Sequence, residues 1–296
     1  GWGRIPVWGF GDVLESRHPD VAPGERLYGY FPMSAAVTLE VGAVTPGAIT
    51  EASAHRRPLP PVYNNYARVA HEPFYAADTE DWQMLFRPLF MTAFLLDDFV
   101  AEANLFGAEA VILTSASSKT ALALASLLTR NRRAPGHVIG LTSPRNVAFV
   151  EGVGCYDQVA TYDDIGALPT EHGVVTVDMA GNGQVLEALH RHFGDGLKFS
   201  SLVGLTHWDR GDRSAELPGA PPTFFFAPDQ AQTRVKELGE EAFGERAVSA
   251  WRDFVVESQD WIRVTHGSGP AAVEALYLAT LDGKVNPNEG HVLSLG

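Results

Sequence analysis

Between Ala110 and Leu128 the chain reads AVILTSASSKTALALASLL: four apolar residues of β type, six small or polar ones, then a helical run of Ala and Leu. A buried strand that feeds a tight loop and then a helix is the first half of a βαβ unit. The helix N-terminus exposed by such a loop is a ready anion site, so a nucleotide phosphate is the first ligand to expect. The hydroxyls and amides of Ser115, Ser117, Ser118 and Thr120 can donate to phosphate oxygens there, and Lys119 adds a positive charge. The same residues also read as a serine-rich N-cap of an amphipathic helix.

The alternation continues downstream. A second strand, His137 to Leu141, runs into Thr142-Ser143-Pro144-Arg145-Asn146. An acid at the end of this strand would bind the adenosine ribose hydroxyls and favour NAD. Ser143 and Arg145 stand there instead, and hydroxyls with a guanidinium suit a 2'-phosphate, so NADP(H) is the expected cofactor, with Asn146 beside it. A helix begins at Asn146. Gln158 to Tyr162 is a third strand, Val174 to Asp178 a fourth, Val185 to His192 a helix and Phe199 to Leu205 a fifth strand. Strands and helices alternating at this spacing argue for an α/β fold with a doubly wound parallel sheet. Thr206, His207 and Trp208 then fall at the carboxyl end of the fifth strand, where open sheets bind ligands. Thr206 is a candidate cofactor contact, and His207 reads either as a proton donor or as a solvent-exposed loop histidine. His190 and His192 lie two apart on a helix, on different faces, and make a poor metal pair.

The flanks differ. Residues 1 to 75 carry short β-rich runs such as Val7 to Phe10 and Val37 to Val41 between Gly and Pro punctuation. In PVYNNYARVA, Tyr63 and Tyr66 read either as ordinary strand residues or as hydrogen-bond donors to a substrate carbonyl. Trp82, Leu85, Phe86 and Leu89 open a helical pattern over Glu80 to Phe106. Beyond a polar, Pro-rich loop, Thr223 to Pro228 is an apolar strand suited to a sheet edge. A helical stretch over Asp229 to Glu257, broken near Gly244, precedes a strand at Trp261 to Val264, a helix at Gly269 to Thr280 and a last strand at Gly290 to Leu295.

With 296 residues, 45% of them hydrophobic, the chain can bury the core of two domains or of one large one. Lys and Arg number 22 against 36 Asp and Glu, a net charge of -14, which disfavours nucleic acid and anionic membrane as partners. The single cysteine, Cys155, excludes a disulfide framework and a cysteine-rich zinc site and reads as a small core residue. No stretch reaches the length of apolar sequence needed to span a bilayer, so a cytoplasmic protein is expected. Ser268, in HGSGP, lacks the Gly-x-Ser-x-Gly spacing of a hydrolase nucleophile elbow.

The order of these segments resembles a known superfamily. GDVLESRHPDVAPGERLYGYFPM, Gly11 to Met33, is similar to the VxxSxxPxxxxGDRVYG segment in the chaperonin-10-like barrel of medium-chain dehydrogenase/reductases, the quinone oxidoreductase branch in particular. Met91-Thr92-Ala93-Phe94 resembles that family's GLTAY, Gly154 to Asp157 its LGAD turn, and the segment ending in Met179-Ala180-Gly181-Asn182-Gly183 its VVLDxxGG. TSASSKT departs at each glycine from the usual GAxGGVG. The resemblance implies a partial barrel domain over residues 1–92 lacking its N-terminal part, a Rossmann domain over 93–228, and a return to the catalytic domain over 229–296. It further implies that Thr92 faces the nicotinamide, that Tyr162 lies near the adenosine half, and that the strand at Thr223 mediates a homodimer. The function implied is a zinc-independent, NADPH-dependent reduction of a small-molecule substrate, a quinone, enone or related acceptor, with Tyr63, Tyr66 or His207 as donor. The alternative is a sensor or binding protein that keeps the cofactor fold without turnover.

Overall fold

The computed structural model describes residues 3–131, 137–203 and 217–295. Thr206, His207 and Trp208 lie outside the described residues. The contacts divide into two compact units, Gly1–Arg87 with Ser258–Gly296, and Pro88–Glu257.

The first unit opens with β1 (Pro6–Asp12), β2 (Arg26–Pro32), β3 (Val41–Val44), β4 (Ala48–Glu51) and β5 (Asn65–Arg68). They form an antiparallel sheet in the order β1-β2-β5-β4-β3. Val21, Leu27, Ile49 and Tyr66 are buried together on one face. Gly29 is required there, because a Cβ at that position would stand 2.3 Å from the Tyr66 ring. The strand expected at Val37 to Val41 forms later, from Val41. The Glu40 amide donates to the Glu51 carboxylate and not to a strand partner, while the Glu40 carbonyl accepts from the Ala52 amide.

Helix α1 (Glu80–Glu102) carries Pro88 in its interior and passes from the first unit into the second. It ends in an unusual turn. Asn104, Leu105, Phe106 and Gly107 all have φ between 47° and 77°, a left-handed turn that three non-glycine residues enter. The side chains offset that strain: Leu105 is buried and the Phe106 ring stacks on Phe199 at 4.1 Å.

The second unit continues with β6 (Ala110–Leu113), α2 (Lys119–Asn131), β7 (His137–Thr142), α3 (Val147–Val153) and β8 (Gln158–Thr161). Then come β9 (Val174–Asp178), α4 (Gly183–Phe193), β10 (Leu197–Leu202) and β11 (Pro222–Phe224). All six strands pair in parallel, in the order β11-β10-β9-β6-β7-β8. This is the doubly wound α/β sheet expected from the alternation. Its central strands are apolar because both faces are covered: all four residues of β6 and all five of β9 are buried.

Helices α5 (Ala227–Leu238) and α6 (Glu240–Ser258) break at Gly239, whose φ of 85° suits only glycine, and not at Gly244. The resemblance assigns 229–296 to the catalytic domain, whereas most of α6 clusters with the second unit. The reason is aromatic packing. The Trp251 and Phe254 rings lie 5.3 and 5.1 Å from that of Phe90. Strand β12 (Arg263–Ser268), helix α7 (Gly269–Leu281) and strand β13 (Glu289–Ser294) complete the first unit, with β12 and β13 paired in parallel. The strand expected from Trp261 starts at Arg263. Among the described residues no helix is long and apolar enough to cross a membrane.

Candidate functional site

The chain order reverses between β6 and β9: β7 and β8 lie to one side, β10 and β11 to the other. The crevice outside the carboxyl ends of strands at such a point is where open α/β sheets take their ligands. Here the two strand ends are tied together. The Thr114 hydroxyl, directly after β6, donates to Asp178 Oδ1 at 2.6 Å and accepts from the amides of Met179 and Ala180 at 2.9 and 3.1 Å. Asp178 Oδ1 also accepts from the amides of Ala180 and Gly181. Both side chains are buried, Thr114 at 0% and Asp178 at 2% exposure. Burial pushes the Asp178 carboxyl above its ordinary value, and the Thr114, Ala180 and Gly181 donors pull it partly back. Asn182 caps α4 by accepting from the amides of Gln184 and Val185.

The serine loop sits beside this network. Ser115 takes φ of 47°, the left-handed region that glycine enters most easily, and its amide donates to the Tyr162 hydroxyl at 3.0 Å. Asn146 donates to Ser117 Oγ at 3.0 Å, joining the loop to the turn after β7. Ser118 Oγ accepts from the Ala121 amide at 3.3 Å, so this serine is the helix cap that the sequence also allowed. From beneath, the Ala116 amide donates to the Leu141 carbonyl and the Tyr156 hydroxyl donates to the Ala116 carbonyl. Gly140 admits this arrangement, since a Cβ there would come within 2.8 Å of the Tyr156 ring and 2.9 Å of Ala116. Lys119 opens α2, Thr120 is half-buried, Ser143 is half-buried after β7, and Arg145 is exposed in the following 3-10 turn. The donor set of hydroxyls and helix-start amides, with Lys119 and Arg145 close in sequence to its two turns, fits a ligand bearing phosphates.

The other candidates are dispersed. Thr92 lies inside α1, where its hydroxyl donates to the Pro88 carbonyl at 3.1 Å. Tyr66 is fully buried in the first unit and its hydroxyl donates to the Tyr30 carbonyl at 2.9 Å, which commits its proton to the fold; burial pushes it up to about 12. Tyr63 is half-buried, its ring 5.0 Å from Tyr30 and 6.2 Å from Trp8. A residue that no sequence pattern singled out holds this corner: the Arg56 guanidinium, 8% exposed, donates to the carbonyls of Tyr30 and Tyr63 and to the Asn64 side chain. Thr114, Asp178 and Tyr156 were also missed. Their signals in the sequence are a threonine directly after an apolar strand, an acid closing VVTVD, and a glycine inside HVIGL.

Over residues 1–286 the sequence matches the family described as "Protein of unknown function (DUF2855)". The chain belongs to that family. No curated protein matches it. Among solved structures, this DUF2855 chain is similar to a putative NADPH:quinone reductase from Mesorhizobium loti, with a TM-score of 0.59 and 12% identity over 97% of this chain and 76% of that one. It is also similar to the yhdH oxidoreductase from Salmonella enterica in complex with NADP, with a TM-score of 0.53 and 12% identity over 99% and 90% of the two chains. A third likeness is to the Bacillus subtilis protein yhfP with NAD bound, with a TM-score of 0.51 and 17% identity over 99% and 80%. At such identities the likeness shows a shared fold.

Proposed function

We propose that the chain binds NADP(H) at the β6–β9 crevice and reduces a small conjugated carbonyl compound, a quinone or an enone, without a metal. The observation that carries this reading is the strand reversal at Thr114 and Asp178, with the serine loop and α2 at its edge, in a fold shared with NADP-bound oxidoreductases. When bound, the cofactor supplies the hydride; the protein supplies orientation and polarisation.

The roles of the chain's residues come from chemistry and position. Ser117, Ser118, Lys119 and Thr120 face the diphosphate from the start of α2, and Ser143, Arg145 and Asn146 receive the adenosine side. No acid stands at the end of β7, so nothing there repels a 2'-phosphate, and Arg145 is exposed to meet it. Of the two tyrosine candidates, Tyr66 spends its hydroxyl proton on the Tyr30 carbonyl, which leaves Tyr63 as the candidate donor to a developing enolate oxygen. The same reading carries a homodimer through the edge strand β11, where Phe224 is 46% exposed.

Titration of the protein with NADPH and NADH, followed by assay against a panel of quinones and enones, tests this directly. NADPH binding with steady oxidation by at least one acceptor is expected. Binding without oxidation by any acceptor would leave the sensor reading in its place. Arg145→Ala is predicted to weaken NADPH roughly tenfold or more, the scale of a lost hydrogen bond to a charged group, while leaving NADH little changed. Equal losses for both would remove the 2'-phosphate assignment.

A further inference from the structure

The loop that meets the phosphates has serines where close approach of the backbone calls for glycines. Glycine lets the chain come directly against a diphosphate, and each Cβ and hydroxymethyl group holds it back. Ser115 nevertheless keeps the left-handed φ of 47° that a glycine would take, and its amide is engaged by Tyr162 Oη at 3.0 Å. A phenol that accepts one hydrogen bond still has its own proton to give. That hydroxyl is held in advance. Tyr162 directly follows β8, in a 3-10 turn locked by a capping box between Thr161 and Asp164, and its ring packs on the buried cluster that includes Ile139, Leu141 and Ile165. From the end of β8 it reaches past β7 to the end of β6.

We infer that Tyr162 is a relay: its hydroxyl accepts from the Ser115 amide and donates to an oxygen of the cofactor diphosphate, extending the donor reach of a loop that cannot come close itself. This rests on the NADP(H) reading above. A hydrogen bond carries a donor about 2.7–3 Å outward, enough to span the layer of side chains that glycines would have omitted. The opposite reading is a plug, in which Tyr162 occupies the place of the phosphate and must leave before it binds. The two differ in sign.

Isothermal titration of the full chain and its Tyr162→Phe variant decides between them, with three probes: ADP, which has a diphosphate and no 2'-phosphate; 2'-AMP, which has the reverse; and NADP+. Tyr162→Phe keeps the ring and its packing, and retained 2'-AMP binding certifies that the variant is folded. The relay predicts that Tyr162→Phe loses roughly tenfold or more in affinity for ADP and NADP+ and stays within about twofold for 2'-AMP. Arg145→Ala is expected to show the reverse pattern between ADP and 2'-AMP. Unchanged or tighter ADP binding by Tyr162→Phe, or a loss falling on 2'-AMP, overturns the relay while leaving the cofactor reading intact. Wild-type protein that binds none of the three probes overturns both.

Discussion

Asp178 shows how one residue links the fold to the crevice. Its carboxyl is raised by burial and partly relieved by Thr114, Ala180 and Gly181. A carboxyl that ionises at higher pH in the fold than in the unfolded chain keeps more protons in the fold between those two values. Stability therefore falls as pH rises through that window, from about pH 4 upward, and the loss is complete above the folded value. Glu25 and Glu80 act oppositely. Desolvation opposes ionisation of Glu25, but the Ala22 amide and Arg68 outweigh it, and Arg26 holds Glu80 low, so their contributions are lost as pH falls. Asp178→Asn keeps an acceptor for the three donors and cannot ionise, so comparing it with wild type isolates the one group. The stability of wild type relative to Asp178→Asn, from urea midpoints between about pH 3 and 7, is predicted to decrease with rising pH. A flat or rising difference would show that Asp178 ionises without cost. None of this was legible in VVTVD alone, because the network needs Thr114, 64 positions away.

At the scale of elements, the sequence announced what periodicity can announce. The apolar runs of β6 and β9, the Ala and Leu face of α2 and the alternation through β10 appear where the pattern puts them, because a strand covered on both faces must be apolar. The left-handed turn at Asn104 to Gly107 was hidden. Its cost is met by long-range stacking on Phe199, and no local pattern encodes that. The loop serines were ambiguous between cap and phosphate site; Ser118 caps, while Ser115 and Ser117 bond to Tyr162 and Asn146. Helix α5 is a further element whose attachment pattern reading misses, since it has no buried residue. It docks by charge: Arg234, 13% exposed, meets Asp98 at 2.7 Å, and Asp98 also meets Arg246 at 3.2 Å. Arg234→Met is predicted to cost about 3 kcal/mol, the low end for opening a buried pair because Arg246 still faces Asp98. Hydrogen exchange should quicken first across Ala227–Leu238. Uniform loss of protection over the second unit would instead mean that α5 is integral to its core.

The whole molecule has two units, and the chain passes between them along two helices, α1 and α6, which cross the boundary at Arg87 and Glu257. Cys155, the single cysteine of the chain, lies in the second unit, 4% exposed. Its Sγ donates to Glu257 Oε1 at 3.1 Å, with Ser126 and Arg130 on the other carboxylate oxygen. Burial and the facing carboxylate push this thiol far up, so it is inert as a nucleophile while the unit stays closed. The sequence has no other sulfur that an alkylating reagent such as iodoacetamide would take at neutral pH. The rate of alkylation therefore follows the population of molecules in which the second unit is open. NADP+ at about 100 times its dissociation constant should slow that rate up to about a hundredfold where reaction requires the unit to open. Labelling as fast as in urea, or indifferent to the nucleotide, would show that the thiol is reached without opening the site. A buried contact between a thiol and a carboxylate thus gives the protein its own gauge of breathing, readable by mass alone and with no label introduced.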